Sequence, residues 1–387
     1  MLLVNLASST SVDVRAIERD WRMTNLQVAV VAGIDPARTR PGGTRSYVLG
    51  LVRYLASAGV DVTLLGIGGP ASESEPFRFM ATTADYNASS LTFHRSLRKI
   101  VRARRLLTSV IHTQRPDDLV PFLPDFEEAG LVMTIHGDPL PGIRTRHGRV
   151  ISAAYRRLER KGVGAARRVL FVDPQSRDVF ARRYPRDVRK FVDSHVGIDL
   201  NLFRMEEPAA ARASWHLDER PHILFAGRFE REKNLSLLIR ALPLCETRPT
   251  LLLAGAGSES DEVRRQLDGS SHRILGIVPH ERMPSLYAAV EATILPSTRE
   301  AMPLACLESL ACGKPIVATR TGRLPEIIKP GRNGILVSAD PVELAHAIDR
   351  VINDGRQMGR ICRESVERFG WDRVGPSVLR HYEEALA

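Results

Sequence analysis

Short runs rich in Val, Ile and Leu recur along the chain, and amphipathic segments at helical spacing separate them. Runs at 26–31, 60–66, 110–113, 132–135, 169–172 and 191–196 form one set, and runs at 222–226, 250–254, 273–275, 292–295, 315–318 and 334–337 a second. Continuous apolar runs mark strands covered on both faces, and alternation with helices marks parallel sheets. The pattern predicts an α/β protein of two doubly wound, Rossmann-like domains. Between the sets, GIDLNLFRMEEPAAARASW (197–215) has turn residues and then an Ala-rich stretch without strand pattern. The expected organisation is a disordered extension at 1–24, a first domain at 25–196, a linker at 197–215, a second domain at 216–369 and an amphipathic helix at 370–387. Open α/β sheets bind ligands beyond the carboxyl ends of their strands, so two facing domains place the site in the cleft between them.

The chain length of 387 residues and mass of 43.0 kDa suit two domains. No uninterrupted apolar stretch is long enough for a spanning helix, and the N-terminus lacks the basic start and apolar run of a signal peptide. Cys245, Cys306, Cys312 and Cys362 have no metal-ligand spacing and read as reduced, mostly buried thiols of a cytoplasmic protein. The net charge of +10 admits nucleic acid, anionic lipid and phosphorylated small molecules as partners. Basic residues concentrate at 91–115 (Arg95, Arg98, Lys99, Arg102, Arg104, Arg105, Arg115) and at 144–168. Phe93, Leu97, Ile100, Val101 and Leu107 add an apolar stripe to the first of these. It reads either as a surface helix of the domain or as a basic amphipathic face toward an anionic membrane.

The motifs fall just after strands, as the cleft requires. Pro41-Gly42-Gly43 leads into a helix at 46–58, and its glycines admit close backbone approach by a ligand or simply form a tight turn. Gly227-Arg228 follows the 222–226 strand, with Lys233 on the same loop. Two cations there repel each other unless an anion lies between them; a diphosphate fits, and neighbouring Glu230 and Glu232 are the alternative partners. Gly255-Ala256-Gly257 is a weak signal, a turn as readily as a phosphate contact. His136, at the end of a first-domain strand before Gly137, either faces the second domain across the cleft or is a structural histidine. In LPSTREAMPLACLESLACGKPIVAT (295–319), Glu300 precedes an apolar helix at 303–312 and Glu308 lies within it. On one helix their spacing would be about 12 Å, beyond the roughly 5–9.5 Å of a glycosidase acid pair. They suit separate contacts at two ends of a long ligand, with the helix N-terminus near Met302, Leu304 and Ala305 offered to a pyrophosphate; Glu308 reads alternatively as a semi-buried helix acid paired to a neighbouring Arg.

Together these segments resemble the retaining glycosyltransferases of family 4, glycosyl transferases group 1, which have the two-domain GT-B fold. AGRFEREKNLSLLIRAL is similar to the family's Gly-Arg…Lys block, and PSTREAMPLACLESLACGKPIVAT to its Glu-x7-Glu block. VGIDLNLF resembles its hinge, and PGGTRSYVLGLVRYLASAGVDVTLL its N-terminal Gly-Gly loop. The resemblance runs from about Gln27 to the C-terminus. It implies that Arg228 and Lys233 bind a donor diphosphate, Glu308 the ribose and Glu300 the transferred sugar. It implies further that His136 lies near the reacting carbon, and that Gly42 and Gly43 border the diphosphate and acceptor. Gly227, Ala301, Met302 and Leu304 would contribute backbone to the donor site, and Ile277 with Val278 would frame the base. The last helix would return to the first domain. The donor would be a nucleotide-diphosphate sugar of UDP or GDP type, with no cofactor and no metal, since the cations replace it. The acceptor would be a glycan, a lipid-linked species or a small molecule, in synthesis of cell-surface glycan, polysaccharide or glycolipid.

Three departures stand out: Ala301 and Pro303 where the family often has glycines, Gly322-Arg323 for its usual Gly-Gly, and His195 for a common Asn before the hinge. Arg323 is expected to add charge near the cleft. Competing readings are a nucleotide-sugar epimerase of the same fold and a non-catalytic carbohydrate- or nucleic-acid-binding protein, although nucleic acid is not the expected partner. A dehydrogenase is disfavoured because no strand is followed by a full GxGxxG.

Overall fold

The computed structural model describes residues 26–37, 42–69, 75–86, 88–103, 106–126 and 128–387. The expected extension at 1–24, Pro41, Arg104 and Arg105 lie outside them. Among the described residues the first sheet has β1 (Gln27–Val31), β2 (Asp61–Ile67), β3 (Arg78–Thr83), β4 (Val110–Thr113), β5 (Gly130–Ile135), β6 (Arg168–Phe171) and β7 (Phe191–Asp193). Their order is β3-β2-β1-β4-β5-β6-β7, all parallel. Here α1 (Gly43–Ser57), α2 (Ser90–Arg102), α3 (Leu140–Ala165) and α4 (Pro174–Arg183) connect strands. The second sheet has β8 (His222–Ala226), β9 (Thr250–Ala254), β10 (Arg273–Gly276), β11 (Ala292–Leu295), β12 (Ile316–Thr319) and β13 (Gly334–Val337), in the order β10-β9-β8-β11-β12-β13. Both are doubly wound, and each reverses its strand order beside its first strand, where crevices open.

The strand absent from the sequence expectation is β3. Its residues are half-buried or exposed, because it sits at the edge of the sheet, and so RFMATT lacks the apolar run that marks its neighbours. The central strands are buried on both faces: every residue of β4, β5, β8, β9, β11 and β12 is buried, whereas the edge strand β10 is half-buried throughout. The apolar stripe of α2 also turns inward. Phe93, Leu97 and Val101 are buried in the first domain's own core beside Leu119, Phe122 and Val163. This helix therefore has no broad apolar face left for a membrane.

The chain crosses between the domains twice, side by side. The Ile198 amide donates to the Phe369 carbonyl at 2.8 Å, and the Trp371 amide to the Ile198 carbonyl at 3.2 Å. The last helix, Trp371–Leu386, then lies against the first sheet and α1. Glycine makes this docking fit: a Cβ on Gly50 would stand 2.2 Å from the Trp371 ring, and one on Gly197 2.4 Å from it. Deeper in, His112 on β4 bonds the Tyr382 hydroxyl and the Thr134 hydroxyl, each at 2.7 Å. The second domain is thus followed by a helix that belongs structurally to the first.

All four cysteines are buried and unpaired, and burial pushes their thiols up. No helix among the described residues is long and apolar enough to cross a membrane.

Candidate functional site: a cleft between two sheets

The carboxyl ends of the two sheets face each other across a cavity of about 570 Å³. Gly42, Gly43 and His136 line it from the first domain; Gly227, Arg228, Lys233, Ile277, Glu300, Ala301, Met302, Leu304 and Glu308 line it from the second. The structure thus brings together every residue singled out for the donor and for catalysis.

On the second-domain wall, β8 ends at Ala226 and the chain turns at Gly227. Gly255, on the neighbouring loop, has φ 146°, and a Cβ there would lie 1.8 Å from the Gly227 carbonyl oxygen. The Gly255-Ala256-Gly257 turn is therefore a packing device that lets two strand-end loops touch. Arg228 remains about half exposed, with Glu232 3.6 Å away. Lys233 is different. Its Nζ donates to Glu300 Oε1 at 2.6 Å, and the Ser297 hydroxyl donates to the same oxygen at 2.7 Å. The two cations do not need an anion between them merely to coexist, because each has an acidic neighbour from the protein. Glu230 serves elsewhere, bonding the Ser258 hydroxyl.

After β11 the chain runs through Glu300 to a helix at Leu304–Ala311. The helix starts one residue later than the sequence suggests. Pro303 is its N-cap, with φ −73° and ψ 116°, and no side chain caps it. Its first turn carries no acidic residue, so the positive end of the helix is presented to the cleft uncompensated by its own sequence. Glu300 lies outside the helix. Glu308 lies inside it, where its Oε2 accepts from the Tyr287 hydroxyl at 2.8 Å. Burial raises the Glu308 carboxyl above the ordinary glutamate range, against the pull of His280 and of this hydrogen bond.

Opposite, His136 packs edge-on to Tyr47, ring centres 4.9 Å apart, and its Nε2 lies 2.9 Å from Gln114 Oε1. Burial lowers its pKa to about 4, so the imidazole is neutral near pH 7. Among the described residues an added Cβ on Gly42 would meet nothing within 4 Å, and one on Gly43 only Leu304 Cδ1, at 3.7 Å.

Several cleft residues were not singled out from the sequence, among them Arg45, Asp138, Asp173, His280 and Arg299. Asp138 was legible as part of the same strand-end His-Gly-Asp segment; its carboxylate is gripped by both Arg183 terminal nitrogens, at 3.1 and 2.7 Å. Arg323 carries a correction. It is not a free charge in the cleft but is almost buried, bonded to Glu326 and to first-domain carbonyls. Away from the cleft, His94, Asp117 and Asp118 present donor atoms within 4.8 Å of one another, but Arg115 already pairs with Asp117 at 2.8 Å.

Two histidines, His112 buried and His136 half-buried at the cleft, set a pH dependence. Burial pushes His112 down to about 3 and His136 to about 4, both below the unfolded value near 6.5. Below about pH 6.5 the unfolded chain takes up protons that the folded chain refuses. This stabilisation is therefore complete above pH 6.5 and is lost as pH falls toward the folded pKa. From pH 7 to 5 each histidine should cost about 2 kcal/mol. Urea titrations at the two pH values, on wild type and His112→Gln, isolate the share of His112 from that of buried acids acting in the opposite sense. The variant should lose less stability over the interval.

Fold and site define a two-domain GT-B protein with an anion-ready wall facing a neutral histidine. Comparison with known proteins agrees. The model of Glycosyltransferase Family 4 matches residues 41–202, and that of Glycosyl transferases group 1 matches residues 220–354. The chain belongs to this glycosyltransferase family. It is 30% identical over 250 residues to the D-inositol 3-phosphate glycosyltransferase of Paenarthrobacter aurescens, covering 59% of this chain and 60% of that protein. It is 32% identical over 200 residues to an uncharacterized glycosyltransferase of Methanocaldococcus jannaschii, covering 49% and 51%. The matched part thus spans no more than about three fifths of these relatives. Among solved structures, sucrose-phosphate synthase from Thermosynechococcus elongatus superposes with TM-score 0.78 at 24% identity, covering 93% of this chain and 99% of that one. Anabaena HepE in complex with UDP and glucose gives 0.75 at 19%, covering 93% and 100%. These last two likenesses concern the fold.

Proposed function

We propose that the protein transfers a sugar from a nucleotide-diphosphate donor to an acceptor hydroxyl with retention of the anomeric configuration. One observation carries the reading: Arg228, Lys233 and the N-terminus of the Leu304–Ala311 helix converge on one wall of a cleft, with Glu300 and Glu308 in the same wall and His136 opposite. In this reading the diphosphate lies against the two cations and the helix, which stabilise the charge that grows on the leaving group. Glu308 bonds the ribose, Ile277 and Val278 border the base, and Glu300, held by Lys233 and Ser297, receives hydroxyls of the sugar. His136, neutral and near the reacting carbon, offers hydrogen bonding without adding charge.

The bond between the anomeric carbon and the phosphate oxygen breaks, and the acceptor oxygen bonds the same face of that carbon. The acceptor's proton passes to the departing phosphate oxygen, giving a glycoside and a nucleoside diphosphate. No metal or cofactor is assigned a role. UDP and UDP-glucose, seen bound to HepE, support a uridine-type donor, with GDP sugars as the alternative. The acceptor class is a glycan, a lipid-linked species or a small molecule, met at the cytoplasmic side. Donor incubated without acceptor separates this reading from an epimerase: a transferase gives slow hydrolysis, whereas conversion to the epimeric nucleotide-sugar contradicts the proposal.

Contact with an anionic membrane is a subsidiary proposal, carried now by α3. Val150 and Ile151 are exposed on it among exposed Arg144, Arg146, Arg149, Arg156 and Arg157. Cosedimentation with phosphatidylglycerol vesicles at low salt should be strong and should weaken in Val150→Ser/Ile151→Ser. Absence of binding would remove the proposal.

A further inference from the structure

Arg323 departs from the family pattern, and its surroundings explain what an arginine does there. It sits between β12 and a short helix at Leu324–Ile327. Gly322, at φ 52°, presses its backbone against the donor loop, and a Cβ there would stand 2.0 Å from the Glu300 carbonyl oxygen. The Arg323 amide donates to the Ala301 carbonyl at 3.1 Å. Its side chain leaves the second domain: one terminal nitrogen donates to the Ser194 carbonyl at 3.2 Å and to the Val172 carbonyl at 3.4 Å. Glu326 holds the guanidinium from its own side, accepting from Nε at 2.9 Å and lying 2.8 Å from Nη2.

These bonds form one continuous path between the two walls of the cleft. The Val172 amide donates to the Ile135 carbonyl at 3.3 Å, and Ile135 immediately precedes His136. Val172 then accepts from Arg323, Arg323 donates to Ala301, and Ala301 immediately follows Glu300. A buried guanidinium thus links the strand end that carries His136 to the loop that carries Glu300. Its planar fork reaches three acceptors at once: two first-domain backbone carbonyls, which cannot rotate away, and the Glu326 carboxylate.

We infer that Arg323 is a positioning residue that fixes the register of the donor loop against the first domain, and so the distance between His136 and Glu300. It touches no substrate. Its loss leaves nucleotide recognition within the second domain intact and lets the two domains settle at a range of angles. A displacement near 1 Å at the reacting atoms is enough to cost about 10²-fold in rate. For turnover this inference rests on the proposed transferase reading; for geometry it does not.

The experiment uses the full chain carrying Arg157→Cys and Asp261→Cys, exposed positions on the two domains, spin-labelled against a background of buried thiols. Arg323→Ala should broaden the interdomain distance distribution, and Arg323→Lys should narrow it again in part. With a nucleotide-sugar donor, Arg323→Ala should lower kcat by about 10²-fold while the dissociation constant for UDP stays within about twofold. An unchanged distance distribution overturns the inference even if no donor is turned over. Unchanged kcat in an active enzyme, or UDP affinity falling in step with kcat, overturns it too, the latter by making Arg323 a donor contact. Failure of the wild type to transfer from any donor defeats the transferase reading alone, and the distances still decide the role of Arg323.

Discussion

Lys233→Ala is expected to lower turnover by about 10²–10³-fold, the cost of losing one preorganised transition-state donor. The ammonium serves two partners in this reading. It faces the diphosphate, and it bonds Glu300 at 2.6 Å. Its removal also leaves Glu300, which is 8% exposed, with the Ser297 hydroxyl as its one side-chain hydrogen-bond partner among the described residues. That desolvated carboxylate should cost a further ~1–3 kcal/mol of stability. Arg228→Ala should slow turnover similarly without the stability loss, because Arg228 is about half exposed and its acidic neighbour is 3.6 Å away. Initial rates at saturating donor, with urea titrations of both variants, check the pair. Full turnover in both would remove the diphosphate from this wall.

Glu308→Ala is expected to have the largest effect on donor binding as distinct from turnover. A charged hydrogen bond contributes roughly 1.5–3 kcal/mol, so affinity for the donor nucleotide should fall about 10–100-fold. The variant also strands the Tyr287 hydroxyl, which is fully buried and donates to Glu308 at 2.8 Å. Tyr287→Phe is the control: the carboxylate stays in the cleft, and nucleotide binding should stay near wild type. Calorimetric titration with UDP and GDP reads both. Equal affinity in Glu308→Ala and wild type would move the ribose elsewhere.

Much of this architecture is legible in the sequence because parallel strands buried on both faces leave unbroken apolar runs. TLLLA and ATIL announce β9 and β11 without ambiguity. RFMATT does not announce β3, since an edge strand is covered only in part. The α2 stripe shows the limit of periodicity: it reveals that one face is apolar, not whether a core or a lipid covers it. The cleft residues could be found because each follows a strand, and strand ends converge at the mouth of a doubly wound sheet.

What the sequence hides is partnership across long separations. Lys233 and Glu300 read as a cation for phosphate and an acid for sugar, yet they bond each other at 2.6 Å. Arg323 reads as a charge added to the cleft, yet its guanidinium is spent on Glu326 and on carbonyls of the other domain. Tyr287 gives no sign in the sequence that its hydroxyl will hold Glu308. Such pairs depend on how strands are ordered in space, which local pattern does not encode.

The central claim, that this wall of the cleft holds a nucleotide-diphosphate sugar, is tested most directly by ligand-induced stabilisation. UDP-, GDP- and ADP-sugars are added to the wild type and to Arg228→Ala/Lys233→Ala, and unfolding is followed with temperature. One sugar nucleotide at 100 times its dissociation constant should add ~2.7 kcal/mol to the wild type. The double variant should lose most of that gain at the same concentration. No stabilisation by any of the three nucleotides, or an equal gain in the double variant, would contradict the account.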